Sequence, residues 1–203
     1  MLMLVGCAAG GVSEHRDDGP GGDSHPLSIY GGGGGMSVLP PEGRHPGEPW
    51  SATFGSFIPC LDDDRPMTIS GFDWTSPAGL EPRSVVAYLR TFDRSETDPY
   101  LSMLGTPADP LDKYFEESPG TITEGIQGHG VTVQCADAFN GRVEEIMLAV
   151  EVDDAGALLE DVSFDYESES GRKYRVVTDW KLYVCGDKVP EAGVSCGAGG
   201  PPE

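Results

Sequence analysis

Through the middle of the chain, apolar and polar residues alternate over short stretches separated by turn residues. Phe54 to Cys60 and Met67 to Trp74 read as strands, parted by the acidic run Asp62-Asp63-Asp64 and by Pro66. Thr75-Ser76-Pro77-Ala78-Gly79 is a turn signal, and Ser84 to Phe92 is the next strand. Val85, Ala87 and Leu89 fall on one of its faces, and Val86, Tyr88 and Phe92 on the other. Apolar residues on both faces predict a central strand. Val131 to Cys135 is a short strand, and Asn140-Gly141 is a tight-turn signal because both residues tolerate positive φ. A meander then runs to Cys185. Val143 to Val152 places Ile146, Leu148, Val150 and Val152 on one face; Leu158 to Tyr166 places Val162, Phe164 and Tyr166 inward and Asp161, Ser163 and Asp165 outward. Tyr174 and Val176 alternate with Lys173 and Arg175, and Trp180 to Cys185 closes the series. Many short strands with frequent turns predict an all-β fold, an antiparallel β-sandwich of the immunoglobulin-like kind. Trp74 and Trp180 lie within alternating strands and are expected in its core.

Two regions break the pattern. From Arg94 to Gly120, Pro99, Pro107, Pro110 and Pro119 leave no room for a strand, and one short helix is expected over Asp109 to Phe115, with Asp109 as N-cap and Pro110 in the first helical position. Residues 8–49 carry Gly10-Gly11, Gly19-Pro20-Gly21-Gly22 and the run Gly31 to Gly35. Such composition predicts a flexible tether. The expected organisation is therefore a leader over 1–7, a tether over 8–49, a β-sandwich over 50–186 and a C-terminal tail over 187–203, held through Cys196.

Charge and cysteine content narrow the function classes. A formal charge of −21 over 203 residues excludes a nucleic-acid binder, which needs basic clusters on its surface. It also disfavours adhesion to anionic lipid. No apolar run is long enough to span a bilayer. Five cysteines are present. Leu4-Val5-Gly6-Cys7, followed by Ala8-Ala9-Gly10-Gly11, resembles the lipobox of secreted bacterial lipoproteins. Met1 to Gly6 is shorter than a full export signal and is read as the end of one. The resemblance implies that Cys7 is the lipidation site and the mature N-terminus, and that the protein is anchored through lipid to the outer face of the cytoplasmic membrane. A basic complement of nine Arg and four Lys, with Asn140 the only asparagine, suggests an actinobacterial origin. The remaining Cys60, Cys135, Cys185 and Cys196 form an even set, expected as two disulfides outside the cytoplasm, with three connectivities open. The expected pairing is Cys60 with Cys135 and Cys185 with Cys196, because the second closes a short terminal loop. No C-x-x-C spacing points to zinc.

Candidate chemistry is sparse. His129, in Gln127-Gly128-His129-Gly130, is the one histidine within the expected domain. A hydrolase triad would need a serine and a carboxylate near it, yet no G-x-S-x-G elbow occurs. Ser170-Gly171-Arg172-Lys173 matches the S-x-x-K of penicillin-binding proteins, but it falls in an expected hairpin turn, where helical spacing is lost. Asp62, Asp63, Asp64, Asp153 and Asp154 offer oxygen ligands for calcium without the spacing of an EF-hand loop. From Glu144 to Glu169 there are ten acids and no base, expected as a solvated outer face. The sequence thus leads to a non-catalytic envelope module, without cofactor, that binds an envelope protein or glycan. An envelope hydrolase using His129 and a calcium-stabilised surface module are the alternatives.

Overall fold

A computed structural model describes residues 26–30, 34–94, 104–107, 120–192 and 196. Its strands are β1 (Leu27–Tyr30), β2 (Gly34–Val38), β3 (Trp50–Leu61), β4 (Met67–Thr75), β5 (Ser84–Asp93), β6 (Leu104–Pro107), β7 (Thr121–Glu124), β8 (Gly130–Val131), β9 (Arg142–Val152), β10 (Ala157–Ser168), β11 (Lys173–Val177) and β12 (Trp180–Val184). A short 3₁₀ turn over Val189–Ala192 follows. Two sheets face each other, with strand orders β1-β3-β9-β5-β7 and β2-β12-β10-β4-β8. The all-β two-layer architecture is the one the alternation predicts.

Long strands form the centre of each sheet, and short ones share their outer edges. β6 lies along Ala52 to Phe54 of β3, and β1 along Ile58 to Leu61 of the same strand. β12 and β11 likewise divide one edge of β10. Phe54, Phe57, Ile146, Leu148, Val150, Leu159, Val162, Phe164 and Tyr166 fill the space between the layers and are completely or almost completely buried. Trp50 is in this core, while Trp74 and Trp180 are half-buried against it. Burial on this scale contributes about 25 cal/mol per Å² of apolar surface and is the main force joining the sheets.

Phe54 and Phe57 both face inward although they are three positions apart, a spacing that puts residues of a regular strand on opposite faces. A bulge between them reconciles this: the β3–β9 register shifts there, and Ser56 takes a positive φ of 73°. A bulge inserts one residue and resets the alternation. The same device operates in β10, where Asp161 has φ 47° and the register to β4 shifts between Glu160 and Ser163.

The folded part begins upstream of the expected boundary at Trp50. Leu27 and Ile29 of β1 are buried in the core, and β2 pairs in parallel with β12, so the sandwich is not wholly antiparallel. Gly34 and Gly35 belong to that strand rather than to a tether. A side chain at Gly35 would meet the Tyr183 ring at 2.8 Å, so the missing Cβ lets an aromatic side chain from β12 cover the glycine strand. The following segment is tied down as well. The Arg44 guanidinium bonds both the Glu48 carbonyl and Asp154, and the Gly47 N–H donates to Asp154 at 2.8 Å. A second correction concerns residues 94–120: Leu104–Pro107 is a strand, with Pro107 at its end where a missing N–H is tolerated. The helix expected over Asp109 to Phe115, and Cys7, lie outside the described residues.

Candidate functional site

His129 stands at one end of the sandwich, in the connection from β7 to β8. Ile126 anchors that connection in the core. Gly128 turns it with φ 83° and donates to the Ile69 carbonyl at 2.8 Å, while the Ile69 N–H donates to the His129 carbonyl at 2.9 Å. The imidazole is thereby delivered to β9, where Nε2 meets Glu144 Oε2 at 2.9 Å. Arg142 Nη2 approaches the other oxygen, Oε1, at 3.1 Å. The hydrogen bond from His129, then the charges of His129 and Arg142, hold the Glu144 carboxyl below the usual range against the opposing effect of burial. Among the described residues no serine, threonine or cysteine hydrogen-bonds the His129 ring. The pair can orient an imidazole, but the described residues supply no nucleophile for it to activate. Its evident work is to tie the β7–β8 connection to the start of β9.

Glu145, the next residue, points to the opposite face of β9. It is completely buried and bonds Arg90 Nη1 of β5 at 3.0 Å, with Arg90 itself 1% exposed. Its other oxygen accepts the Ser56 N–H of the β3 bulge at 2.7 Å. Arg90 also lies 4.3 Å over the Phe92 ring. One carboxylate therefore fixes both a strained turn of β3 and a buried cation. The expectation of a solvated acidic face fails at Glu144 and Glu145, because a buried acid is tolerated where hydrogen bonds and a cation replace its water.

Four of the other acidic candidates have local partners. Asp62 accepts the Ser28 hydroxyl at 2.5 Å, Asp63 pairs with Arg65, and Asp153 accepts the Ala155 N–H at 3.0 Å. Asp154 is engaged by Arg44 and Gly47, whose hydrogen bonds lower its carboxyl below the ordinary value. No group of three or more metal-ligating side chains comes together among the described residues. Ser170 lies in the turn between β10 and β11, with Ser168 Oγ at 2.9 Å, and Lys173 opens β11.

The four domain cysteines pair as expected. Cys60 bonds Cys135 and Cys185 bonds Cys196, with Cα separations of 4.8 and 5.8 Å. The segment carrying Cys135 also bonds the main chain of β3, through Leu61 N–H to Val133 and Cys135 N–H to Leu61, at 2.8 and 2.9 Å. Ile58, Cys60, Phe92, Ala138 and Val143 form a small second core beneath it.

Two concave surfaces stand out among the described residues. A polar groove of about 210 Å³ on the outer face of the second sheet is lined by Asp73, Thr75, Asp161, Ser163 and Arg175, among others. Its groups largely satisfy one another: Thr75 donates to Asp161 at 3.1 Å, and Arg175 forks onto Asp165 at 2.7 and 2.9 Å. The second is a cleft of about 360 Å³ between the two sheets, lined by Gly71 and Phe72 of β4, Val85 to Ala87 of β5, and Glu124 to Gln127. Sequence alternation assigned Gly71, Phe72 and Val85 to Ala87 to strands but made no assignment for Glu124 to Gln127, and gave no sign that the strand edges around the cleft are open. No protein-family model matches the chain, and a search of curated proteins finds no match to it.

Proposed function

We propose that this protein is a lipid-anchored, extracytoplasmic binding module that holds a polypeptide or glycan of the cell envelope and performs no catalysis. The observation that carries the reading is the pairing of Cys60 with Cys135 and of Cys185 with Cys196. Paired structural disulfides belong to oxidising compartments. The pairing leaves Cys7 as the one cysteine outside a disulfide, in the sequence context that resembles a lipobox. A diacylated cysteine provides two buried chains, each methylene contributing about 0.8 kcal/mol, which is enough for stable attachment. Engagement of His129 by Glu144 supports a structural role for that histidine.

The test is the intact mass of the protein recovered from its native membrane fraction, before and after reduction and alkylation. The expected result is a chain beginning at a lipid-modified Cys7, with four cysteines that react only after reduction. An unmodified chain with five free thiols would overturn the reading.

A further inference from the structure

The cleft between β4 and β5 is bordered by two strand edges that no described strand completes. On the outer edge of β4, β8 pairs only Met67 and Thr68, and the adjoining Gly128 and His129 serve Ile69. Beyond Ile69, no described strand continues that line past Gly71, Phe72, Asp73, Trp74 and Thr75. The Trp74 N–H instead takes the carboxylate of its own neighbour Asp73, at 2.9 Å. On β5, β7 pairs Tyr88 to Thr91 and Gly125 bonds the Ala87 carbonyl at 2.8 Å, after which Ser84 to Val86 have no further described strand on that side. Between these edges lie apolar side chains that the two sheets do not fully cover. Phe72 and Trp74 stack at 5.7 Å, and both are half-buried, as is Val85.

We propose that this cleft receives an extended polypeptide strand of a partner protein, added in line with β8 to the edge of β4 that no described strand covers. This rests on the reading of the protein as a binding module and names the class of its ligand. An open edge presents alternating N–H and C=O groups, and a second peptide main chain matches that pattern at every other residue. Alternate side chains of the strand would enter the cleft between Phe72 and Val85 and rest on Ile126. The Asp73 carboxylate would yield the Trp74 N–H to a carbonyl of the incoming strand. Charge selects the partner. Glu124 stands exposed on the rim and the chain carries −21, so an apolar strand flanked by Lys or Arg is favoured and a second copy of this chain is repelled.

The full chain, with both disulfides formed, is used to select from a random-peptide display library, and synthetic versions of the enriched peptides are then bound to it. Enriched sequences should alternate apolar residues and carry basic flanks. Amide exchange at Phe72 to Thr75 should slow at least about tenfold on binding. Affinity should fall on Glu124→Lys and with added salt, and be lost on Val85→Asp. Should Val85→Asp not fold, the exposed Glu124→Lys and the exchange data decide. Peptides that bind without protecting residues 72–75 would sink the cleft proposal alone, leaving the module reading to the Cys7 mass measurement. Protection of the same amides by envelope oligosaccharides, or by self-association at raised protein concentration, would also overturn it, as would a library yielding no binder.

Discussion

The two disulfides should stabilise the fold by different amounts, and the difference follows from their loops. Cys60 and Cys135 are 75 residues apart, and Cys185 and Cys196 are 11 apart. If a cross-link acts chiefly by restricting the unfolded chain, the long loop contributes ~4.5 kcal/mol and the short one ~2.8 kcal/mol at 25 °C. In a domain of this size each kcal/mol shifts Tm by about 2–4 °C. Removing the long bridge (Cys60→Ala with Cys135→Ala) should therefore lower Tm by about 9–18 °C, and removing the short one (Cys185→Ala with Cys196→Ala) by about 6–11 °C. Packing acts in the same direction, since Cys60 is fully buried beside Ile58 and Phe92 whereas Cys196 is only partly covered. The assay is urea unfolding of the wild type and both double variants, followed by circular dichroism. It reads a second quantity, because an unfolded chain freed of a long cross-link exposes more surface and the slope m should rise most for the Cys60–Cys135 variant. Equal losses, or a larger loss and larger rise in m for the short bridge, would refute the loop argument.

The buried ion pair gives a second test: Glu145→Ala should cost about 3–5 kcal/mol in urea unfolding, and adding Arg90→Met should recover part of it, whereas strictly additive losses would mean that the charges do not depend on each other. Glu144 gives a pH test. Its carboxyl is lowered in the fold by His129 and Arg142, so its contribution is present above its ordinary value of 4.5 and is lost as pH falls through the lower folded value; the stability gap between wild type and Glu144→Gln should narrow toward pH 3 and be wide and flat at pH 6. The backbone crossing at Gly156 and Gly186 offers a steric comparison. A Cβ at Gly156 would sit 2.4 Å from the Val184 carbonyl oxygen, whereas one at Gly128 meets nothing within 4 Å, although both have φ near +80°. Gly128→Ala should then cost about 1–2 kcal/mol for its backbone alone, and Gly156→Ala clearly more when the two are compared by thermal unfolding.

Sequence reading was most reliable where a strand has one buried face. The meander from Val143 to Cys185 shows this. Its alternation named the inward Val162, Phe164 and Tyr166, all of which are fully buried, and a one-residue slip there would turn every side chain to the wrong layer. Reading failed where main-chain pairing, rather than side-chain pattern, makes the strand. Gly34 and Gly35 have no side chains to alternate, so composition pointed to a tether although β12 holds them. The signal that was present is the alternation of Leu27 and Ile29 with Ser28, and of Met36 and Val38 with Ser37. β6 escapes the pattern for a related reason: it is four residues long, ends in a proline, and is placed by its partner β3. Bulges were invisible as well. The odd spacing of Phe54 and Phe57 resolves only once Ser56 is seen in a left-handed conformation, capped by a carboxylate distant in sequence.

The same distinction governs the candidate sites. A residue type can suggest chemistry, but its neighbours decide whether that chemistry is free to act. His129, Asp63, Asp153 and Asp154 were singled out for their polar groups, and each of those groups is engaged within the chain by Glu144, Arg65, Ala155, or Arg44 and Gly47. Composition places Glu145 in a solvated acidic run and gives Arg90 no role, yet the two form the most deeply buried charged pair among the described residues. The cleft was overlooked for the opposite reason. Phe72, Val85 and Ile126 are ordinary core residues by type, and what sets them apart is that no described strand closes the β4 and β5 edges around them. The proposed strand addition rests on incomplete pairing at β4 and β5 among the described residues, a property of topology. Residue composition cannot reveal it, and an incoming peptide main chain is the chemistry that would complete it.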